Sequence, residues 1–361
     1  MRSARLRWLP ALVVPAVIGI GALVGTSQAG AAVNLPDKSP EEVLALMAQA
    51  DVQAMSGTLR QTSELGLPKL PDEGPQAQGG GQAGAVLELL TGSHTARVYL
   101  DGPDRLRAQV MDTLAERDLV RNGRDVWFYS SLENEATHVQ LPADHMTPDH
   151  HAMVPGRVPT PEELAHRLLE ATDPSTDITV GQDTTVAGRS AYELVVRPRA
   201  TDTLVGQISV AVDAQTGLPL RVTVTARGQE APAFQVAFTT LDLAAPDAGL
   251  FQFVPPEGAS VHEVTPPSSA GPMHRPTPGT APDTAPEPRV TGEGWDAVVE
   301  LPAGTAPPQL TRSPLLLEAT RAVPGGRLLH TALVNVLLTD DGRVLAGSVP
   351  VERLQTLAAT R

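Results

Sequence analysis

Apolar and polar residues alternate over much of region 52–254, which is the pattern of β-strands that bury one face. The alternation is clearest in three segments in which every second residue is apolar, namely 208–212, 220–225 and 234–239. Turn residues at 101–104 and 122–123 set off four earlier segments, which are 95–100, 105–111, 115–120 and 124–130. Because consecutive strands usually pair, the pattern predicts a long antiparallel sheet with one apolar face.

Two segments instead carry the pattern of short amphipathic helices. Residues 39–42, Ser-Pro-Glu-Glu, form a capping box with proline at the first helical position, and Thr-Pro-Glu-Glu at 160–163 repeats this signal. Apolar residues then recur on one face of each helix, which are Val43, Leu44 and Met47 in the first and Leu164 and Leu168 in the second. The sequence therefore predicts two helices that can cover the apolar face of the sheet.

The alternation is compatible with two architectures. A large curled sheet can enclose a ligand cavity, with the helices as a lid. A helix-on-sheet domain would instead have a solid core. Either way the fold class is α+β and mainly antiparallel β, and pattern alone favours the solid core over the cavity.

The chain also divides along its length. Residues 265–288 carry eight prolines without an apolar period, which is typical of a semi-extended linker. Strands at 297–301, 328–338 and 344–349 and helices at 315–322 and 351–359 are predicted beyond it. The predicted organisation is a signal peptide or N-terminal anchor at 1–31, a large β domain at 32–263, a Pro-rich linker at 264–289 and a small α+β module at 290–361. A module of this size has a thin core, so we expect it to dock on the large domain or on a partner.

The N-terminus has the layout of a secretory signal. Arg2, Arg5 and Arg7 precede an apolar run at 8–24, and the small residues 29–31 follow it. The alternative is an uncleaved anchor, because the run is close to the length that spans a membrane. With either outcome the protein is exported, and its working part lies in the cell envelope or is secreted.

Charge and cysteine content exclude several functions. The chain has 27 Lys and Arg residues against 41 Asp and Glu residues, a net charge of -14, which disfavours nucleic acid as a partner. It has no cysteine, which excludes disulfides, thiol nucleophiles, cysteine-based zinc sites and a lipid-modified N-terminal cysteine.

Catalytic motifs are missing from the sequence. It contains no G-x-S-x-G elbow, P-loop, H-E-x-x-H or EF-hand pattern. One cluster of imidazoles and carboxylates could in principle bind a divalent metal and support hydrolysis; it comprises His138, His145, His150, His151, Asp144 and Asp149. Its spacing fits no helical pair and prolines surround it, so a solvated loop is the favoured interpretation. We predict no catalytic residue, no metal and no cofactor, and hence no enzyme.

Four segments resemble a known group of proteins. They are MSGTLRQTSELGLP at 55–68, VAGRSAYEL at 186–194, DAQTGLPLR at 213–221 and FQFVPPEG at 251–258. They are similar to bacterial lipoprotein carriers of the LolA type and to the related MucB/RseB sigma-factor regulators, over residues 38–262. The resemblance implies a half-open antiparallel barrel with a helical lid over an apolar cavity that accepts acyl chains.

This resemblance favours a function in binding. We expect an exported, non-enzymatic binder or carrier of lipid or lipoprotein acyl chains, and the alternative is an envelope-stress sensor that binds an anti-sigma factor or another membrane protein. An acyl site must be dry and apolar, because each methylene that leaves a bilayer forfeits about 0.8 kcal/mol. The candidate wall residues, for which ordinary core packing is the alternative role, are Val43, Leu44, Met47, Val98, Leu100, Leu106, Val110, Leu164, Leu168, Ile208, Val210, Val222, Val224, Phe234, Val236 and Phe238.

Overall fold

The computed structural model describes residues 34–67, 92–111, 116–141, 175–264, 288–305 and 318–360. The predicted signal segment, the second predicted helix and most of the predicted linker lie outside these ranges. Within them, no helix is both long enough and apolar enough to span a membrane.

Thirteen strands form one large sheet. Their bounds are β1 (Ala54–Ser63), β2 (Thr95–Asp101), β3 (Arg105–Met111), β4 (Glu116–Asn122), β5 (Asp125–Ser130), β6 (Glu135–Gln140), β7 (Thr176–Val180), β8 (Thr184–Val186), β9 (Arg189–Pro198), β10 (Val205–Asp213), β11 (Pro219–Ala226), β12 (Pro232–Asp242) and β13 (Ser260–Val264). Their order is β13-β6-β5-β4-β3-β2-β1-β12-β11-β10-β9-β7, with β8 paired to β9. The sheet is curled and open, and its pairs are antiparallel except for β13 beside β6, so the predicted fold class is confirmed.

Local sequence explains the hairpins. The predicted strand at 105–111 has its predicted bounds, and those of its neighbours differ by one or two residues. The turn between β4 and β5 has Gly123 at φ 62°, a left-handed conformation that glycine adopts without steric cost. Strand β1 pairs with both β2 and β12, and it therefore joins the hairpins of the first half of the sheet to those of the second.

The two faces of the sheet differ in burial. In β1 every second residue from Met55 to Ser63 is buried, and in β11 the same holds for Leu220, Val222 and Val224. The register places Leu59 of β1 opposite Phe238 of β12 and opposite Ala96 of β2. These buried residues therefore lie on one continuous face, which we call the inner face.

Helix α1 (Pro40–Ala48) packs at the second half of the sheet. Its predicted capping box is confirmed: the Ser39 hydroxyl accepts a hydrogen bond from the Glu42 N–H at 3.3 Å, and the Glu42 carboxylate accepts one from the Ser39 N–H at 2.7 Å. Val43 and Met47 are buried in the same apolar cluster as the inner face. Burial raises the pKa of the Tyr192 hydroxyl, with further contributions from Asp183 and Glu42, and this hydroxyl donates a hydrogen bond to the Pro36 carbonyl at 3.2 Å.

The hairpin between β10 and β11 contacts α1 and limits how closely the helix approaches the sheet. Gly217 has φ 74°, and a Cβ atom added there would overlap the Leu46 carbonyl oxygen of the helix. The backbones of hairpin and helix therefore touch directly, and only glycine fits between them.

We expect Gly217→Ala to lower the free energy of unfolding by about 2 kcal/mol, because overpacking pushes the helix away from the sheet. Gly228→Ala is the matched control, since Gly228 has φ 77° but open space around it. Its cost should be about 1 kcal/mol, from backbone strain alone. Urea denaturation of both variants measures the difference, and equal losses would contradict the direct contact with α1.

A second sheet has six strands in the order β14-β15-β19-β18-β17-β16. Its elements are β14 (Arg289–Thr291), β15 (Val298–Leu301), β16 (Arg321–Val323), β17 (Gly326–His330), β18 (Asn335–Thr339), β19 (Val344–Gly347) and helix α2 (Val351–Ala359). Helix α2 is confirmed. The single strand predicted at 328–338 is wrong, because this segment is the β17–β18 hairpin. The helix predicted at 315–322 is wrong at its end, where Arg321 begins β16.

The small sheet docks on the large one. Its own core includes Leu328, Leu337 and Leu345, whereas Trp295 and Leu333 are buried in the core cluster of the large sheet. Backbone hydrogen bonds cross the contact from the Leu204 N–H to the Ser348 carbonyl at 2.7 Å and from the Ala332 N–H to the Leu65 carbonyl at 2.9 Å. The two sheets therefore share apolar packing and ordered backbone contacts.

Candidate functional site

The strand registers bring all eleven strand candidates onto the inner face. Leu100 lies opposite Leu106, and Val210 lies opposite Val222, which in turn lies opposite Val236. The full set is Val98, Leu100, Leu106, Val110, Ile208, Val210, Val222, Val224, Phe234, Val236 and Phe238. Of the helix candidates, Val43 and Met47 are buried and Leu44 is half-buried, whereas Leu164 and Leu168 lie outside the described residues.

One part of this face is fully covered by protein. Val210, Val224 and Phe234 are 0% exposed, and Ile208 is 1% exposed. Side chains with no accessible surface touch neither solvent nor a water-sized void. Across β9–β12 the inner face is therefore a packed core, and a ligand would reach these residues only if α1 or another covering segment moved.

The other part is more open. Leu100, Leu106, Val110, Phe128 and Val139, on strands β2, β3, β5 and β6, are only partly buried although they contact the core cluster. We call these five residues the open patch. The small side chains of Ala96 and Ala108 lie among them on the same face. The open patch is thus an apolar surface that a ligand can contact without unfolding the packed half.

Several inner-face residues had not been predicted as site residues. Leu119 lies opposite both Ala108 and Phe128, and Val126 lies opposite Val139. Phe128 therefore points to the inner face, whereas its neighbour Trp127 points to the outer face and stacks on His138 with ring centroids 4.2 Å apart. The sequence had left the choice between these two aromatic residues undecided.

Two arginines flank the open patch. Arg117 and Arg121 lie on the inner face of β4, opposite Val110 and Leu106 respectively, with Leu119 between them. The Arg121 guanidinium donates hydrogen bonds to the Asp104 carboxylate at 3.0 Å and to the Gly123 carbonyl at 3.1 Å. One arginine therefore stands at each end of the inner face of β4, and Arg121 is already paired with Asp104.

The outer face carries two partly buried ion pairs. Arg107 pairs with Asp118 at 2.5 Å, and Arg221 pairs with Glu193 at 2.9 Å. Burial raises the pKa of both carboxyl groups, although hydrogen bonding and the charge of each arginine oppose it. Because folding raises these pKa values, their ionisation works against the folded state, and this penalty is relieved as pH falls through them.

The structure does not support a metal at His138. Its Nδ1 lies 2.8 Å from Glu263 and its Nε2 lies 2.9 Å from Asp125, so both ring nitrogens have carboxylate partners on opposite sides of the ring. The other members of the predicted cluster, residues 144–151, lie outside the described ranges. Among the residues that are described, His, Asp and Glu side chains form no group that could hold a metal ion.

One protein family matches this chain over the strands that carry the open patch. Residues 84–264, from before β2 to the last residue of β13, match the family described as "Predicted periplasmic protein (DUF2092)". No curated protein matches the chain.

The solved structures that match the chain include MucB in the Pseudomonas aeruginosa MucA/MucB complex, at 20% identity and a TM-score of 0.43, covering 88% of this chain and 96% of that one. A LolA superfamily protein from Nitrosomonas europaea matches at 8% identity and a TM-score of 0.24, and the match covers 60% of this chain and 99% of that one. An uncharacterized conserved protein from Thermus thermophilus matches at 12% identity and a TM-score of 0.34, and the match covers 62% of this chain and 98% of that one. MucB and a LolA superfamily protein are therefore among the matching structures, in agreement with the resemblance seen in the sequence.

Proposed function

Because the chain belongs to the DUF2092 family of predicted periplasmic proteins, we propose that it is a non-enzymatic envelope protein that binds the acyl chains of a lipid or lipoprotein on its inner face. The observation that carries this proposal is the open patch. It is an apolar surface, continuous with the core, that is only partly buried in the folded chain.

The physics of acyl binding favours this surface. Each methylene that leaves a bilayer must be buried again, at about 0.8 kcal/mol, so a typical chain needs roughly 10 kcal/mol of replacement burial. The open patch spans strands β2 to β6, and its curved sheet allows contact along the length of a chain. Of the predicted wall residues, Leu100, Leu106 and Val110 would therefore contact the ligand first, and the packed residues of β10–β12 would support them.

The arginines suggest how a ligand is oriented. A carboxylate or phosphate at the end of an acyl chain can accept charge-assisted hydrogen bonds from a guanidinium group. Arg117 and Arg121 lie at opposite ends of the apolar strip on β4. We therefore propose that the acyl chain lies along the open patch with its anionic end beside one of these two arginines.

We expect Val110→Asp to weaken binding of parinaric acid, a naturally fluorescent fatty acid, by at least about tenfold, because the carboxylate would have to be desolvated against the chain. Met111→Asp is the matched control, since Met111 is the next residue of β3, is also half-buried and lies on the outer face. Its affinity should stay close to that of the unchanged protein. Fluorescence titration of the full mature chain measures both.

A second variant separates binding from folding. Val110→Thr keeps the shape of the side chain and adds only a hydroxyl group, so it should fold and still bind less tightly. Equal affinities of Val110→Asp and Met111→Asp for parinaric acid would contradict the proposal. So would a failure of the unchanged protein to bind parinaric acid.

The alternative function, a regulator of the MucB type that binds a membrane protein, remains a second proposal. The docked small sheet supports it in one respect. Helix α2 and strands β15–β19 are held as a folded module against the large sheet, so their remaining surface is presented in a fixed orientation. Cross-linking of the full chain in envelope membranes, with a photoreactive residue on α2, would test it. Capture of one defined membrane protein would support it, and no captured membrane protein would contradict it.

A further inference from the structure

Strand β13 forms one edge of the large sheet. Within the described residues it pairs on one side only, with β6, and this is the sheet's parallel pair. All five residues of β13 are exposed to solvent. A strand in this position presents a row of backbone N–H and C=O groups to whatever lies beside it.

The large exposed apolar side chains of the described residues gather at this same edge. They are Leu132 at 58%, Val254 at 80%, Val261 at 46% and Val264 at 47% exposure. Two of them lie on β13, one lies in the β5–β6 turn and one precedes β13. Natural sheets usually protect an edge with lysine, proline or a bulge, whereas β13 carries exposed valines. The apolar surface here is therefore typical of a contact surface.

Acidic residues outnumber basic ones around this edge, where Arg124 donates a hydrogen bond to the Leu141 carbonyl just beyond β6. Segments 125–141 and 251–264 contain five acidic residues and no lysine or arginine, the acidic residues being Asp125, Glu133, Glu135, Glu257 and Glu263. A half-buried aromatic group lies on the outer face beside them, with Phe253 5.3 Å from Trp127 and 5.8 Å from Tyr129 between ring centroids. Acidic groups and aromatic rings both attract lysine and arginine side chains.

Strand β13 is held firmly enough to act as a template. His262 pairs with Glu135 at 2.8 Å and Glu263 pairs with His138 at 2.8 Å, one link on each face of the sheet. The Ser260 N–H donates to the Asn134 carbonyl at 2.9 Å, and the Asn134 side chain donates to the Gly258 carbonyl at 3.0 Å. The edge is therefore preformed, and binding would lose little free energy to the ordering of β13.

We propose that the free edge of β13 binds an extended peptide segment in which lysine or arginine alternates with apolar residues, by addition of a strand to the sheet. Backbone hydrogen bonds would supply affinity, and side chains on alternate faces would meet the valines and the acidic groups. A second copy of this chain fits poorly, because both edges would carry the same excess of acidic side chains. Val261 of this edge points to the outer face, whereas Val264 lies beside Val139 of the open patch. Variants at Val261 therefore test the edge separately from acyl binding.

The test uses the full mature chain and two synthetic peptides of equal length, one of alternating valine and lysine and one of alternating valine and glutamate. We expect only the basic peptide to bind, with slower amide hydrogen exchange confined to residues 260–264. Selective N-methylation of the basic peptide along one edge should abolish binding. Binding of both peptides, of neither, or protection elsewhere in the chain would overturn the proposal.

A charge variant adds an independent readout. Val261→Lys places a cation on the edge and should weaken binding of the basic peptide by about tenfold. Gln229→Lys, at an exposed position in the turn between β11 and β12, makes the same charge change away from the edge and should have no effect. Equal effects of the two variants would overturn the proposal, as would concentration-dependent dimerisation of the unchanged protein that Val261→Lys abolishes. The affinity for parinaric acid should be the same for Val261→Lys and Gln229→Lys.

Discussion

Asp213→Ala is expected to lower the free energy of unfolding by about 3–5 kcal/mol, because it leaves a partly buried arginine without its partner. The Asp213 carboxylate is 1% exposed and accepts hydrogen bonds from the Arg189 guanidinium at 2.5 and 3.1 Å. It also accepts hydrogen bonds from the N–H groups of Gln215 at 3.0 Å and Thr216 at 2.8 Å. The same side chain therefore shapes the hairpin on which α1 rests. Urea denaturation followed by circular dichroism measures the loss.

Asp341→Ala is the matched control. Asp341 also caps a hairpin turn and pairs with an arginine, Arg343, at 2.9 Å, but it is exposed to solvent. Its replacement should change stability little, because water replaces the lost contacts. A loss as large as that of Asp213→Ala would show that turn chemistry, and not burial of the ion pair, sets the effect.

The Asp213 contribution should also depend on pH. Burial alone would raise the pKa of Asp213, but hydrogen bonds from Arg189, Thr216 and Gln215 outweigh it and hold the pKa below its usual range. A lowered pKa contributes stability that is present above the unfolded value, about 3.9, and is lost as pH falls through the folded value. The stability difference between the unchanged protein and Asp213→Asn should therefore shrink below about pH 4. A difference that stays constant from neutral pH to pH 3 would contradict this assignment.

Trp295→Ala is expected to cost about 3–5 kcal/mol and to release the small sheet from the large one, because it removes the largest side chain that joins them. Trp295 is 2% exposed and lies in the core cluster of the large sheet. Its indole N–H donates a hydrogen bond to the Thr176 hydroxyl at 2.9 Å. Calorimetry of the full chain should show two unfolding transitions in the variant and one in the unchanged protein.

Trp295→Phe separates packing from the hydrogen bond. It keeps an aromatic ring and loses the indole N–H, so we expect a cost of about 1 kcal/mol and a single transition. If Trp295→Ala also unfolds in a single transition, the two sheets are coupled mainly by their backbone contacts, and the assignment of Trp295 as the main link is wrong.

Local chemistry made most of the large sheet predictable. The capping box at Ser39 fixes the start of α1, and the alternation at 208–212, 220–225 and 234–239 gives both the strands and their buried faces. The hairpin at 331–334 was missed because it contains neither glycine nor proline. The Thr331 hydroxyl makes this turn by accepting hydrogen bonds from the Leu333 and Val334 N–H groups, within an otherwise apolar run.

The open patch was only partly predictable, because β4 does not alternate. Asp118, Leu119 and Val120 are all buried, although they point to different faces. The outer face of β4 is covered by a 3₁₀ turn, Ala248–Phe251, whose Leu250 carbonyl accepts a hydrogen bond from Arg107 at 3.0 Å. Burial on both faces removes the two-residue period, so Leu119 could not be assigned from the pattern. Phe128 of β5 could not be assigned because a one-residue error in register exchanges it with Trp127. The parallel pairing of β13 likewise depends on long-range contacts that no local signal encodes.

Photolabelling with a diazirine-bearing fatty acid tests the central claim, that the inner face of β2–β6 binds an acyl chain. We expect the label to attach at Leu100, Leu106, Val110 or Phe128, assigned to single residues by fragmentation mass spectrometry, and unlabelled fatty acid to compete with it. Label that no fatty acid displaces, or that attaches only to outer-face positions such as Tyr99 and Trp127, would contradict it.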